Sequence, residues 1–254
     1  MSTAPVAAAP APGAGQPGLS QAARIVNTFF APSKTFTDIK RSASWWLPFL
    51  LLSMVSVAYA TVVDKKVGFR QVTENQLRQS PKQAEQLDKL PADQRERQIQ
   101  LVMRITRIAT YLSPIFILLL LVIITAVYMA TFNFGAGADI PFGTALAVVV
   151  YSWLPSMLHT LLAVAALFVG VDPEGFNIEN PVATNPGYVV NPFEHPVIYT
   201  LGSSLDIFSI WTAILAALGF SLVSKLKRST TLAVIFGWLI LWALLKAGKA
   251  AIFS

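Results

Sequence analysis

Five apolar stretches, each long enough to cross a lipid bilayer as a helix, constrain this chain more than any other feature. A helix needs about 20 apolar residues to cross the hydrocarbon core, whereas a transmembrane strand alternates apolar and polar residues over about ten. We therefore predict an all-α, polytopic integral membrane protein built as a five-span helix bundle. The predicted spans are residues 45–63, 108–132, 142–171, 197–224 and 231–253.

Composition agrees with a membrane location and narrows the function classes. Hydrophobic residues make up 54% of the chain and charged residues 13%, a balance more apolar than that of soluble domains. The absence of cysteine excludes thiolate metal sites and cysteine nucleophiles. P-loop, zinc-protease, dinucleotide-binding and nucleophile-elbow motifs are also missing from the sequence. We predict no enzymatic activity, no cofactor and no metal site.

The chain ahead of the first span divides into two parts. Residues 1–18 are rich in Ala, Pro and Gly and are predicted to form a disordered tail. Residues 19–44 combine apolar residues at helical spacing with basic residues, and a tryptophan pair follows. This pattern is typical of an amphipathic helix at the interface that contacts anionic headgroups, and the alternative is packing against the protein's own spans. The predicted lipid contacts are Arg24, Lys34, Lys40, Arg41, Trp45 and Trp46.

Residues 64–107, between the first two spans, carry ten Lys or Arg and six Asp or Glu. Such a composition belongs in water, and Pro81 and Pro91 stand where helices begin. Glu85 and Lys89 have the spacing of a favourable pair one turn apart. We predict an extramembrane helical hairpin, whose last helix can run on unbroken into the second span.

The distribution of charge gives conflicting evidence on orientation. Basic residues before the first span and in residues 225–228 favour a cytoplasmic N-terminus, as does the absence of Lys and Arg from residues 172–196. The charged hairpin opposes this, because seven basic residues would then lie inside and twelve outside. We assign the net charge of +6 to topology and lipid headgroups and predict no nucleic-acid partner.

Three patches of sequence resemble a known family. They are FFAPSKTFTDIKRSASWWLPFLLL, FGTALAVVVYSWLPSMLHTLL, and NPVATNPGYVVNP followed by LGSSLDIFSIWTAILAALGFSLVSK. In this order they resemble the bacterial branch of the Yip (Ypt/Rab-interacting protein) membrane domain family. The resemblance covers nearly everything after residue 20, with residues 45–254 as the membrane domain. It implies a five-span bundle with a cytoplasmic N-terminus in the inner or plasma membrane. It implies no catalytic activity.

Ionisable residues within the apolar stretches are few, and three of them predict a polar cluster. Lys246 lies about seven residues from the end of its predicted span and Asp206 about nine, so both are roughly 10 Å or more deep on the side where the C-terminus emerges. A charge at such depth is costly, so we expect Asp206 to pair with Lys246, with His159 close by. This cluster is either a structural ion pair that fixes helix packing or a binding site for a proton or substrate.

Two functions remain open from the sequence. The first is a non-enzymatic membrane organiser or partner-recruiting scaffold, related to membrane trafficking or lipid organisation, which binds membrane lipid and a protein partner or a second copy of itself. The second is a small transporter or channel that uses Asp206, Lys246 and His159.

Overall fold

The structure, a computed structural model, describes residues 18–78 and 81–253 of the chain. The predicted tail, residues 1–18, lies outside this range except for Gly18. Every regular element in the described range is helical, so the all-α prediction is confirmed. The α-helices are α1 (Gln21–Phe30), α2 (Pro32–Ile39), α3 (Trp46–Lys66), α4 (Phe69–Arg78), α5 (Pro81–Asp88), α6 (Ala92–Tyr111), α7 (Ser113–Ala130), α8 (Phe142–Ser152), α9 (Leu154–Val169), α10 (Pro196–Ser204), α11 (Ile207–Ser224) and α12 (Arg228–Phe253).

Five helical segments of the described chain are long and apolar enough to cross a membrane, which confirms the five-span prediction. The second span is α7 extended by a π-helical turn, and the third consists of α8 followed by α9. The spans are Trp46–Lys66, Ser113–Gly135, Phe142–Val169, Ile207–Ser224 and Arg228–Ile252.

The extramembrane helix α6 does not continue into the second span. It ends at Tyr111, Leu112 has a ψ of 6°, and a new helix begins at Ser113. Pro114 explains the break, because its ring lacks an N–H donor and is tolerated only in the first turn of a helix. The prediction of one long helix from Pro91 onward is therefore wrong, and the second span starts five residues later than residue 108.

The fourth predicted span, residues 197–224, is also discontinuous. Its first part is α10, and the helix then breaks at Leu205 and Asp206 before α11 begins. Gly202 of α10 packs so closely against Gly187 that a Cβ on Gly202 would lie 2.7 Å from the Gly187 nitrogen. The membrane-spanning part is therefore α11, and α10 is held against the loop that precedes it.

The helices α1 and α2 pack against the protein's own spans, which was the alternative to a helix lying in the interface. Phe36 and Ile39 of α2 are fully buried in the main core cluster. A Cβ added to Gly219 of α11 would meet Phe36 Cδ1 at 2.9 Å and Val148 Cγ1 at 2.6 Å. The glycine on α11 thus allows the close approach of α2 and α8. The opposite side of α1 remains exposed and apolar at Val26 and Phe30.

The charged hairpin α4–α6 docks onto the loop between spans three and four. Asn75 Nδ2 donates hydrogen bonds to the backbone oxygens of Pro173 at 2.8 Å and Phe176 at 2.9 Å. Beneath them, Val72 and Phe176 join a buried apolar cluster that includes residues of α3 and α9. We call α4–α6 together with residues 170–195 the platform, and the bundle end that carries it the platform end.

Ion pairs stabilise the hairpin internally. Arg70 bonds to both carboxylate oxygens of Glu96 at 3.1 Å and thereby joins α4 to α6. The predicted pair between Glu85 and Lys89 is confirmed, with an N–O distance of 2.8 Å. Both pairs are exposed, so each contributes little to stability alone. Their main effect is that many hairpin charges are neutralised within the hairpin.

Candidate functional site

A cavity of about 800 Å³ lies inside the bundle at its platform end. Its walls come from α7, α8, α9, α11 and α12, and residues of the platform loop and the end of α10 cover it. The three residues of the predicted polar cluster, Asp206, Lys246 and His159, all line this cavity. The structure therefore brings the predicted residues to one site, although not in the predicted arrangement.

Asp206 caps the N-terminus of α11. Its Oδ1 accepts hydrogen bonds from the backbone N–H groups of Phe208 at 2.9 Å and Ser209 at 3.2 Å. Its Oδ2 accepts a hydrogen bond from the hydroxyl of Thr184. A carboxylate at this position satisfies helix donors that would otherwise be unpaired and opposes the positive end of the helix dipole. Asp206 thus anchors the start of span four to the platform loop.

The expected ion pair between Asp206 and Lys246 is absent from the described residues. No carboxylate oxygen among them lies within 4.0 Å of Lys246 Nζ. The prediction failed because it treated Asp206 as a residue inside a continuous helix. In the folded chain the helix break turns its carboxylate toward backbone N–H groups. Lys246 is therefore a cation on the cavity wall that has no acidic partner among the residues of the described ranges.

His159 lies on α9 and faces the same cavity. Its ring packs edge-on against Phe208, with 5.7 Å between the centroids. The contact given for this ring within the described chain is aromatic. His159 is therefore available to a ligand in the cavity.

Aromatic side chains close the cavity toward the other end of the bundle. Phe132 and Phe220 pack with ring centroids 4.8 Å apart, and Tyr128 lies 5.8 Å from Phe220. Phe36, Phe132 and Phe220 are fully buried. On α12, Trp238 Nε1 donates a hydrogen bond to Thr131 Oγ1 at 3.1 Å. These rings form a packed apolar layer in the core of the bundle.

Arg24 is not a lipid contact, which corrects the prediction for this residue. It is 1% exposed, and its Nε lies 2.6 Å from Asp38 Oδ2. Its Nη1 also donates a hydrogen bond to the backbone oxygen of Ser42 at 2.7 Å. A buried guanidinium requires such partners because desolvation of an unpaired charge is costly. Arg24 therefore joins α1 to α2.

The other predicted lipid contacts remain at or near the surface. Lys34, Lys40 and Arg41 are exposed, as is Trp46. Trp45 is half-buried and packs against the Phe49 ring at 5.9 Å. Contact of these five residues with headgroups stays a prediction.

Several cavity residues were missed by the sequence analysis. Asn180 and Asn185 line the cavity roof, where the Asn185 side chain donates a hydrogen bond to the Asn180 side chain at 2.8 Å. Glu179 also lines the cavity. All three belong to the loop of residues 172–196, and a local sequence pattern does not show that this loop packs over the spans.

Comparison with known proteins identifies the domain. The family model described as the Yip1 domain matches residues 26–247. No curated protein matches the chain significantly, and no solved structure does so either. The match extends from α1 to α12 and includes the platform and the residues that line the cavity.

Proposed function

The chain belongs to the Yip1 domain family, and from this membership we propose that it is a non-enzymatic membrane organiser that recruits a protein partner to one face of the bilayer. The observation that carries the proposal is the clamp made by Asn75, which bonds to the backbone oxygens of both Pro173 and Phe176. It joins two extramembrane segments into one platform. A surface held in one conformation binds with a smaller entropic cost than a free loop.

The exposed side of α6 supplies a docking surface on this platform. Leu101, Ile105 and Ile108 are 59%, 57% and 59% exposed. Their spacing places them on one face of the helix. Arg97 and Arg104 are exposed beside this apolar ridge. The combination suits an amphipathic partner helix with acidic residues at its edges.

Cysteine crosslinking tests the proposal, because the chain has no native cysteine. We expect Leu101→Cys to give a crosslinked protein of defined mass in cells and Arg104→Glu to weaken that crosslink. Ile123→Cys is a matched control, because Ile123 is 59% exposed on the membrane-spanning helix α7. Equal protein crosslinking at both positions would contradict a specific docking surface.

Transport is the second candidate function, and it is favoured by the position of Asp206, Lys246 and His159 in one cavity. The packed layer of Phe36, Phe132 and Phe220 argues against it. Reconstituted vesicles distinguish the two functions. A proton or solute flux that His159→Leu abolishes would establish transport and overturn the organiser proposal.

The proposed orientation places the N-terminus in the cytoplasm and the platform and C-terminus outside. The basic residues at 225–228 lie at the bundle end opposite the platform, since one membrane span separates them from it. In this orientation the basic loop of residues 225–228 lies on the cytoplasmic side, in agreement with the positive-inside rule.

A further inference from the structure

We propose that the cavity binds one zwitterionic glycerophospholipid, with its phosphate at Lys246, its headgroup ammonium at Glu179 and its acyl chains between α7 and α12. The proposal goes beyond the proposed function and stands whether or not a partner docks on α6. It rests on the shape of the cavity, on the unpaired charges at its platform end, and on the apolar surface that leads from it into the bilayer.

The cavity opens sideways toward the lipid. In the bundle α12 packs on α10 and α11, whereas α7 packs on α3 and α8, so α7 and α12 form the two rims of an opening. The rims are apolar and exposed at Ile123 on α7 and at Trp242 and Leu245 on α12. The volume of about 800 Å³ lies within the range of ligand-binding cavities. Acyl chains can leave through the opening, so the cavity does not have to enclose their whole length.

Lys246 supplies the positive charge at the polar end. It is exposed to the cavity, and no acidic group of the described chain pairs with it. An unpaired ammonium within a membrane-spanning helix is costly, and lysines in such positions pair with an anion or mark a binding site. A lipid phosphate would give Lys246 a charge-assisted hydrogen bond.

The balance of charge around Lys246 favours a zwitterionic lipid over an anionic one. Glu179 and Asp206 line the same cavity, so two carboxylates accompany one ammonium. The oxygens of Asp206 already accept hydrogen bonds from Thr184 and from α11. The carboxylate of Glu179 makes no ion pair with any described residue. A headgroup that carries both a phosphate and an ammonium pairs Lys246 and Glu179 at once.

The inner part of the cavity suits the acyl chains. From Lys246 to Trp238, α12 rises about 12 Å along the cavity wall at about 1.5 Å per residue. Over this length α7 contributes Leu120, Ile124 and Val127. Below them the Phe132 and Phe220 rings close the cavity. The cavity is therefore polar at the platform end and apolar farther in. A phospholipid bound there would lie parallel to its neighbours in the platform-side leaflet.

Native mass spectrometry tests the proposal on the full chain released from nanodiscs with equal phosphatidylethanolamine and phosphatidylglycerol. We expect one phosphatidylethanolamine per wild-type chain. Lys246→Met should lower its occupancy by at least about tenfold, the loss expected for one charge-assisted hydrogen bond. Lys246→Arg should retain the lipid. Lys249→Met is the matched control, because Lys249 is an exposed lysine on the same helix but does not line the cavity.

Two further variants keep the test decisive if Lys246→Met does not fold. Ala243→Phe fills the cavity from α12 without removing a charge and should also displace the lipid. Glu179→Gln should shift the bound lipid from phosphatidylethanolamine toward phosphatidylglycerol. The proposal is overturned if the wild-type chain retains no lipid, if the two lipids bind equally, or if Lys249→Met lowers occupancy as much as Lys246→Met does.

Discussion

The guanidinium of Arg24 and the carboxylate of Asp38 form a buried ion pair, with 2.6 Å between Nε and Oδ2. Asp38 Oδ1 also accepts hydrogen bonds from Arg41 Nε at 3.0 Å and from the Leu19 backbone N–H at 3.3 Å. Through Ser42, whose backbone oxygen accepts a further bond from Arg24, the pair fixes the segment that leads into span one. The Asp38 carboxylate thus connects Leu19, which precedes α1, to Arg41, which follows α2.

Asp38→Asn should destabilise the protein, because it leaves Arg24 buried without its counter-charge. Breaking one side of a buried ion pair costs about 3–5 kcal/mol in free energy of unfolding. Arg41→Gln is the control, because the Arg41 side chain is 56% exposed, and its loss should have a small effect. Thermal unfolding in detergent micelles measures both. Equal losses of stability for the two variants would contradict a structural role for the buried pair.

The same pair predicts a dependence of stability on pH. Burial alone would raise the pKa of Asp38, but hydrogen bonds from Arg41 and Arg24, with the Arg24 charge, bring it below 3.8. Because the folded pKa is lower than the unfolded one, the stabilisation is complete well above pH 3.8 and is lost as the pH falls through the folded value. Asp38→Asn should lack this component when unfolding is measured from pH 6 to about pH 3.

Local pattern was sufficient to predict the spans but not the pairing of their polar residues. An apolar stretch long enough to cross a bilayer constrains its own fold, since its backbone must be hydrogen-bonded internally. Arg24 was misassigned because its partner, Asp38, is distant in sequence and comes near only when α1 and α2 pack together. Asp206 did carry a local signal, because an aspartate directly before an apolar run is a typical helix start.

Gly219→Ala should destabilise the bundle where α2, α8 and α11 meet. The new Cβ would lie 2.6 Å from Val148 Cγ1 and 2.9 Å from Phe36 Cδ1. Overpacking of this kind costs about 1–3 kcal/mol. Gly237→Ala on α12 is the matched control, because no atom of a neighbouring side chain or segment in the described chain lies within 4 Å of a Cβ at this position. The better helix propensity of alanine should leave its stability unchanged or raised. Thermal unfolding measures the stability of both variants. A Gly219→Ala variant as stable as the wild type would contradict the close packing of α2 and α8 on α11.

Asp206→Ala should destabilise the protein through the loss of a helix cap rather than of an ion pair. The expected cost is about 1–2 kcal/mol. Asp206→Ser should recover part of it, because a serine hydroxyl also accepts the cap hydrogen bond. The double variant of Asp206→Ala with Lys246→Met separates the two roles. We expect additive losses in free energy of unfolding, whereas rescue by the second substitution would restore the ion-pair model.

Asn75→Asp should release the hairpin from the loop without changing its size. The substitution removes the amide donors to Pro173 and Phe176 and adds a charge that faces their backbone oxygens. Hydrogen exchange should increase in α4 and in residues 172–178, while the spans keep their protection. The control is Gln86→Glu on α5, a comparable change at an exposed residue. Unchanged exchange at α4 in Asn75→Asp would mean that the apolar cluster alone holds the platform.

Labelling of single cysteines should establish the orientation of the bundle. Gln86 lies on the platform and Lys227 in the loop between α11 and α12, so the bilayer separates them. Both are exposed, and the chain contains no other cysteine to react. Since the basic loop should remain in the cytoplasm, an impermeant maleimide added to intact cells should label Gln86→Cys and leave Lys227→Cys unlabelled until the cells are opened. The reverse pattern would place the N-terminus outside and move the proposed phospholipid to the cytoplasmic leaflet.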